Sequence, residues 1–175
     1  MTRRRKVSAV NPRILRVMRN VSRRLDEQNI AHALIGGLAV NRYGYERATA
    51  DVDFIVTRDA CEALTGNALG GEVYGKTIQV KGVIIDLVFP KQDEEFLEAQ
   101  IRRSSAGKKV PLIPEEALVY MKLVAGRMKD TADVVELLKR GKIDVSRTTS
   151  FLKKHRPDLV EDFEALVSQA QVEAD

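Results

Sequence analysis

The sequence lacks tryptophan and has one cysteine, Cys61, among its 175 residues. A single cysteine excludes an internal disulfide and any cysteine-rich zinc module, and the two histidines are too few to indicate a zinc site. No apolar run approaches the ~20 residues of a membrane-spanning helix, so we expect a cytoplasmic protein that does not enter a membrane. The phosphate-loop pattern Gly-x-x-x-x-Gly-Lys-Ser/Thr is also absent, which excludes P-loop chemistry.

Apart from these absences, the composition is typical of one soluble globular domain, and its charge is unevenly distributed along the chain. The chain is 44% hydrophobic and 31% charged, with a net charge of +4. Residues 1–25 carry nine basic side chains and no acidic one, whereas residues 158–175 carry six acidic side chains and no basic one. An apolar stripe at 4-3-4 spacing, starting at Ile14, predicts a helix over residues 12–28. The arginines of this helix face solvent, dock a phosphate-rich partner, or belong to a mitochondrial presequence, which is also Arg-rich and poor in acidic residues.

The hydrophobic periodicity predicts an α+β fold. Strands are expected at residues 31–35, 49–56, 73–80, 83–89 and 110–113, with a hairpin turn at Lys81-Gly82. Helices are expected at residues 12–28, 38–43, 94–101, 114–128, 131–140, 146–155 and 157–171, with a helical turn at 59–64 and a loop at 104–108. We therefore expect a mixed β-sheet flanked by helices within residues 1–113. Residues 114–175 should form a helical C-terminal segment packed on this core.

The strongest chemical pattern is Asp51-Val52-Asp53, together with Asp86. Carboxylates at i and i+2 on a strand project from the same face, and two like charges so close are unfavourable unless a cation lies between them. Asp86 lies in an otherwise apolar strand, where an unpaired carboxylate is costly. If a neighbouring strand brings Asp86 beside the other two, the three can hold a hard divalent ion such as Mg²⁺. This arrangement is expected for phosphoryl or nucleotidyl transfer, and a structural carboxylate cluster is the alternative.

Gly36-Gly37 and Arg47 each allow two interpretations. The glycines lie where a strand leads into a helix, so their bare backbone amides could approach a phosphate, but a Gly-Gly pair is equally typical of an ordinary tight turn. Arg47 and Thr49 share the parity of the Asp-x-Asp carboxylates, so in an extended strand all four side chains line one face. Arg47 then either binds a phosphate or forms an ion pair with these aspartates.

Two lysines share one face of the predicted helix 114–128, one inside the helix and one directly after its last residue. Lys122 and Lys129 are seven residues apart, which corresponds to two helical turns. Gly126, in the interior of the predicted helix, costs about 1 kcal/mol relative to alanine, which indicates close packing there. Lys122 either contacts a phosphate or is a solvated lysine.

Together these motifs resemble those of the DNA polymerase β-type nucleotidyltransferase superfamily. The pattern is Gly36-Gly37, thirteen residues, and then Asp51-Val52-Asp53 preceded by Arg47-Ala48-Thr49, with Asp86 on a later strand. More narrowly, the chain is similar to bacterial minimal nucleotidyltransferases and the AbiEii-type toxin group. Lys122 and Arg127-Met128-Lys129-Asp130 with Asp133 resemble a Lys…Arg-x-Lys-Asp-x-x-Asp segment of those relatives.

The resemblance implies a nucleotidyltransferase-type sheet and an Mg²⁺-dependent enzyme. Such an enzyme moves a nucleoside monophosphate from a nucleoside triphosphate, such as ATP, to an acceptor hydroxyl and releases pyrophosphate. Two Mg²⁺ ions would be held by Asp51, Asp53 and Asp86, and Asp86 would also help activate the hydroxyl. The nucleotide would be bound by Gly36, Gly37, Arg47, Thr49, Lys122, Arg127 and Lys129.

The resemblance leaves the acceptor open among an RNA, a protein and a small molecule. The toxin group also implies a toxin–antitoxin role with a cognate partner protein. The alternative function is a non-catalytic regulatory or RNA-binding module that uses the basic N-terminal helix.

Overall fold

The computed structural model describes residues 10–60, 69–74, 77–107 and 109–174. Cys61, residues 61–64 of the predicted helical turn and the basic residues 3–6 lie outside them. The helices are α1 (Pro12–Glu27), α2 (Gly36–Arg42), α3 (Glu95–Ser105), α4 (Glu115–Ala125), α5 (Met128–Lys139), α6 (Val145–His155) and α7 (Val160–Ala174). The strands are β1 (His32–Ile35), β2 (Val52–Val56), β3 (Glu72–Tyr74), β4 (Thr77–Val80) and β5 (Val83–Val88). Short 3-10 helices cover Arg58–Ala60 and Pro157–Leu159.

The five strands form one mixed sheet in the order β1-β2-β5-β4-β3. Strands β2 and β5 are parallel, and the other neighbouring pairs are antiparallel. The β4–β5 hairpin turns at Lys81 and Gly82, whose φ angles of 51° and 72° are those that a two-residue type I′ turn requires. The expected α+β class, a mixed sheet flanked by helices with a helical C-terminal part, is confirmed.

Helix α1 is an integral part of the hydrophobic core. It begins at Pro12, where the side chain of Asn11 accepts a hydrogen bond from the backbone N–H of Arg13 (2.9 Å). The predicted apolar stripe is buried and consists of Ile14, Met18, Val21 and Leu25. The opposite side is exposed and carries Arg13, Arg16, Arg19 and Arg23. Within the described ranges, no helix has both the length and the apolar character needed to cross a membrane.

Two predicted strands are shorter than expected. The predicted strand 49–56 is regular only from Val52. Just before it, the backbone N–H and C=O of Arg47 bind the side-chain amide of Asn41 (2.7 and 2.9 Å) and no neighbouring strand among the described residues. The predicted strand 110–113 is reduced to one parallel bridge between Leu34 and Leu112.

Two other elements have different limits. The predicted strand 73–80 is split into β3 and β4, which pair with each other in antiparallel orientation. Helix α3 continues to Ser105, inside the predicted loop 104–108, where the Ser105 hydroxyl accepts a hydrogen bond from the backbone N–H of His32 (3.3 Å). This bond ties the end of α3 to the first residue of β1.

Gly126 ends helix α4 instead of lying inside a helix. Its φ of 62° is in the left-handed region, and its N–H donates to the carbonyl of Lys122 (3.1 Å). Glycine adopts this conformation at little cost, so it is the usual residue at such a helix end. The expectation of a close-packed interior glycine is therefore wrong, and the two predicted helices meet at Gly126 rather than at Met128.

The sign of the stability change caused by replacing Gly126 with alanine tests this assignment. Because alanine in a left-handed conformation costs about 1 kcal/mol, Gly126→Ala should lower the free energy of unfolding by about that amount. Gly126→Asn should cost less, since asparagine tolerates this conformation better. Urea unfolding of the variants measures both values. An increase in stability of about 1 kcal/mol for Gly126→Ala, as for an interior helical glycine, would contradict the assignment.

Candidate active site

The parallel strands β2 and β5 bring three carboxylates to one cavity. Asp53 and Asp86 are directly paired residues of the two strands, so their side chains project from the same face of the sheet about 5 Å apart along the hydrogen-bonding direction. Asp51 immediately precedes β2 and has the same parity as Asp53. All three line a cavity of about 560 Å³, a size typical of small-molecule sites.

The same cavity is lined by every residue that the sequence analysis assigns to metal or nucleotide binding. These residues are Gly36, Gly37, Arg47, Thr49, Asp51, Asp53, Asp86, Lys122, Arg127 and Lys129. The glycines belong to the start of α2, whereas the cations near residue 126 come from α4, α5 and the turn between them. Beyond the carboxylates the wall becomes largely apolar, with Ile55, Leu118 and Met121 among its residues. The sheet and the C-terminal helices thus each contribute part of the cavity wall.

The carboxylates repel one another in the absence of a cation. Burial, followed by the charges of Asp86 and Asp51, raises the pKa of Asp53 to about 6. Among the described residues, no three His, Cys, Asp or Glu side chains are gathered at a spacing that would hold a metal ion. The three carboxylates on one face are nevertheless oxygen donors of the type that a hard divalent cation takes, so their chemistry, though not their present spacing, suits such an ion. A cation there would offset the charge that raises the pKa of Asp53.

Asp86 is the member of the group with a described hydrogen bond. Its Oδ1 accepts a hydrogen bond from the hydroxyl of Thr77 (3.2 Å), which is the paired residue on β4. The hairpin therefore holds one oxygen of Asp86 in place from the side opposite β2.

Glycine is required at both positions of the Gly36-Gly37 turn. Gly36 has a φ of 65°, and a Cβ there would lie 1.9 Å from Oδ2 of Asp53. A Cβ on Gly37 would lie 2.7 Å from the hydroxyl oxygen of Thr49. The absence of a Cβ at both positions therefore leaves room for the side chains of Asp53 and Thr49, which line the cavity.

Two aspartates that the sequence motifs did not assign to the site hold its cations. Asp130 and Asp133 on α5 are each 1% exposed. Nζ of Lys122 lies 2.7 Å from Oδ1 of Asp130 and 2.7 Å from Oδ2 of Asp133. Nε of Arg127 lies 2.6 Å from Oδ2 of Asp130. We call the group Arg47, Lys122, Arg127, Asp130 and Asp133 the buried ion network.

Arg47 belongs to this network rather than to the three cavity carboxylates. Its Nε and Nη2 donate to Oδ1 and Oδ2 of Asp133 (2.6 and 2.8 Å), and this hydrogen bond is the main cause of the raised pKa of Arg47. Arg47 therefore forms an ion pair in this structure, but its partner is Asp133, 86 residues away, and the predicted pairing with Asp51 or Asp53 is wrong. The sequence motif already contained Asp130 and Asp133, but nothing in it indicates that either aspartate binds Arg47.

Hydrogen bonds within the network outweigh the effect of burial on one of its carboxylates. Burial acts to raise the pKa of Asp130, but hydrogen bonds from Arg127 and Lys122 outweigh it and hold that pKa below its usual range. Removing one partner of such a buried pair typically lowers the free energy of unfolding by about 3–5 kcal/mol, because the other charge is left unpaired away from water. The network therefore fixes the cation-bearing wall of the cavity.

Two cations near the start of α5, Arg127 of the network and Lys129, face solvent. The side chain of Arg127 is 61% exposed even though it binds Asp130, and Lys129 is exposed. The positive charge of Lys129 also acts on Asp53, where it opposes the rise in pKa. Lys122, in contrast, is 7% exposed.

Comparison with known proteins identifies the fold. No family model and no curated protein matches the sequence. An antigenic nucleotidyltransferase-like protein from Paracoccidioides brasiliensis is 19% identical with a TM-score of 0.50, over 89% of this chain and 94% of that one. The antibiotic-resistance factor ANT(2'')-Ia is 14% identical with a TM-score of 0.51, over 91% of each chain. At these identities the likeness shows the fold alone, so the chain has a nucleotidyltransferase-like fold.

The close approach of Asp53 to Gly36 predicts that a methyl group at residue 36 strongly destabilises the protein and that removing the Asp53 carboxylate restores stability. Gly36→Ala should lower the free energy of unfolding by more than the about 1–2 kcal/mol of left-handed strain, because the Cβ also displaces the Asp53 carboxylate. Gly141→Ala is the matched control, since Gly141 has a φ of 61° and nothing within 4 Å of its Cβ position. Urea unfolding measures both. Equal losses for the two variants, or no recovery when Asp53→Ala is added to Gly36→Ala, would contradict the proposed contact.

The raised pKa of Asp53 predicts a pH-dependent loss of stability in metal-free protein. Because the folded-state pKa of about 6 exceeds the unfolded value of about 3.9, the folded state is favoured below about pH 4 and loses stability as the pH rises through 6. Asp53→Asn should therefore raise the free energy of unfolding by up to about 3 kcal/mol at pH 8 and change it little at pH 4. Urea unfolding in EDTA at the two pH values measures the difference.

The control for this prediction is Asp93→Asn, which removes an exposed carboxylate outside the cavity. Adding Mg²⁺ at pH 8 should stabilise the wild-type protein more than Asp53→Asn. An Asp53→Asn effect of equal size at both pH values would show that charge repulsion is not its cause.

Proposed function

We propose that this chain, with its nucleotidyltransferase-like fold, transfers a nucleoside monophosphate from a nucleoside triphosphate to an acceptor hydroxyl. In this reaction a bond forms between the acceptor oxygen and the α-phosphorus. The bond from the α-phosphorus to pyrophosphate breaks, and the hydroxyl loses its proton. The observation that carries the proposal is the pairing of Asp53 with Asp86 across parallel strands, beside Asp51, in a cavity that also presents exposed cations.

The three aspartates are the residues that would hold Mg²⁺, and the resemblance read from the sequence implies two ions. Their carboxylate oxygens fit this ion, and the raised pKa of Asp53 supports a site that gains from a bound cation. When bound, the metal would offset phosphate charge and favour ionisation of the attacking hydroxyl. Asp86, held by the Thr77 hydroxyl, would orient that hydroxyl and accept its proton.

Other cavity residues would bind the nucleotide. Gly36 and Gly37 line the cavity without side chains of their own, so their backbone amides would be the groups that contact a phosphate. Arg127 and Lys129 bring positive charge to the same cavity from the start of α5. The apolar part of the wall, including Leu118, suits the flat face of a nucleobase.

The finer part of the proposal concerns biological context. The motif similarity to AbiEii-type toxins supports a toxin–antitoxin role with a cognate partner protein. The acceptor hydroxyl would then belong to an RNA, a protein or a small molecule, and these three classes form the panel for an activity screen.

Nucleotide binding and pyrophosphate release test the proposal directly. We expect the wild-type protein to bind a nucleoside triphosphate in calorimetry only when Mg²⁺ is present, and to release pyrophosphate with an acceptor from the panel. Asp53→Asn should lower the rate of release by roughly 1000-fold, the scale of losing one electrostatic group at a reaction centre. Its circular dichroism spectrum should be unchanged, and Asp93→Asn should behave like the wild type. Absence of metal-dependent binding for all four nucleoside triphosphates would overturn the proposal.

The exposed arginines of α1 support one alternative, a non-catalytic protein that binds nucleic acid. Deleting residues 1–24 is a poor test, because the deletion also removes the buried Met18 and Val21. Reversing the charge of Arg16 and Arg19, both exposed, leaves the core intact. Loss of RNA binding in that double variant, with no effect of Asp53→Asn on any property, would favour the alternative.

A further inference from the structure

Three of the cations that line the cavity, Lys122, Arg47 and Lys129, differ in what already binds them. Lys122 and Arg47 share one buried carboxylate, Asp133. Oδ2 of Asp133 accepts from Nζ of Lys122 (2.7 Å) and from Nη2 of Arg47 (2.8 Å), and Oδ1 accepts from Nε of Arg47 (2.6 Å). Lys129, by contrast, is exposed at the cavity wall, where its charge acts on Asp53.

Arg47 is fixed at both ends of its side chain. Its backbone N–H and C=O bind the side chain of Asn41 on α2 (2.7 and 2.9 Å), while Asp133 on α5 binds the guanidinium in a bidentate manner. Nη1 of Arg47 lies 3.2 Å from the position that a Cβ of Gly37 would occupy. The guanidinium therefore lies next to Gly37, and Asp133 connects Arg47 to α5.

Lys122 is a poor candidate for a phosphate ligand in this arrangement. It is 7% exposed and lies 2.7 Å from two carboxylates that are each 1% exposed. Moving its ammonium group to a phosphate would leave those carboxylates with one donor fewer away from water, which is unfavourable. An exposed lysine can bind a phosphate without breaking any buried ion pair.

We propose that Asp133 is a positioning residue that fixes Arg47 and Lys122 as structural cations. Lys129 is then one of the exposed cavity cations that bind the triphosphate chain. This division of roles rests on the proposed function, and it departs from the role that the sequence resemblance implies for Lys122.

The experiment measures binding and folding separately for each variant. Magnesium tripolyphosphate and magnesium ATP are titrated calorimetrically into the wild type, Lys129→Met, Lys122→Met, Asp133→Asn and Arg47→Lys, and the Tm of each protein is recorded. Lys153→Met is the control for loss of a lysine charge, because Lys153 is exposed on α6 and does not line the cavity. Asp158→Asn is the control for loss of an Arg–Asp pair, since Asp158 binds Arg156 in the same bidentate manner (2.9 and 2.8 Å).

Opposite patterns are expected for the two lysines. Lys129→Met should raise the Kd for both ligands about 10-fold, the effect of losing one charge-assisted contact, without changing the Tm. Lys122→Met should lower the Tm by about 10 °C, while the folded protein keeps the wild-type Kd. A raised Kd with an unchanged Tm for Lys122→Met, together with a wild-type Kd for Lys129→Met, would overturn the assignment.

The positioning role of Asp133 has its own readout. Asp133→Asn should raise the Kd of the folded protein, because Arg47 loses its bidentate partner and no longer holds its position beside the Gly36-Gly37 turn. A merely structural role would lower the Tm and the binding stoichiometry but leave the Kd unchanged. If Asp133→Asn does not fold, Arg47→Lys keeps the charge and removes the bidentate geometry, and it should raise the Kd in the same way. An unchanged Kd in the folded variants would overturn the role.

The two proposals fail in distinguishable ways. If the wild type binds tripolyphosphate but no nucleotide, nucleotidyl transfer is overturned, and the tripolyphosphate data still support or overturn the roles of the lysines. If the wild type binds neither ligand, both proposals are overturned. If both ligands bind but the lysine pattern is reversed, the further inference alone is overturned.

Discussion

The rest of the site depends on the parallel pairing of β2 with β5. This pairing places Asp53 directly beside Asp86, with Asp51 two residues away on the same side. The opposite faces of both strands are packed in the hydrophobic core, with Val52, Phe54 and Ile85 fully buried, so the carboxylates cannot turn away from one another by shifting the strands. The raised pKa of Asp53 is the electrostatic consequence. A bound cation, as proposed, would remove this repulsion.

The positive charge around the cavity comes from a different part of the chain. Asp130 and Asp133 are buried on α5, and they bind Lys122, Arg127 and Arg47. Because two buried carboxylates cannot be left unpaired, the ends of α4 and α5 are tied to the segment that precedes β2. The helices after Pro114 therefore complete the cavity and also set the distance between its acidic and basic walls.

The sequence predicted the acidic half of the site well because that half depends on local rules. Strand parity places Asp51 and Asp53 on one face, and the apolar neighbours of Asp86 indicate that its strand is buried. The basic half depends on contacts distant in sequence, such as that between Arg47 and Asp133, which periodicity cannot reveal. Gly126 was misinterpreted for a related reason, since the helical pattern continues across it and only the backbone conformation shows that α4 ends there.

The most direct test of the account is to locate the cation itself. Crystals grown with Mn²⁺ and a non-hydrolysable nucleoside triphosphate can be measured at a wavelength where manganese gives anomalous scattering. The account predicts anomalous density between Asp51, Asp53 and Asp86, with the phosphates extending towards Lys129. Anomalous density at another site, or nucleotide bound away from these aspartates, would contradict it.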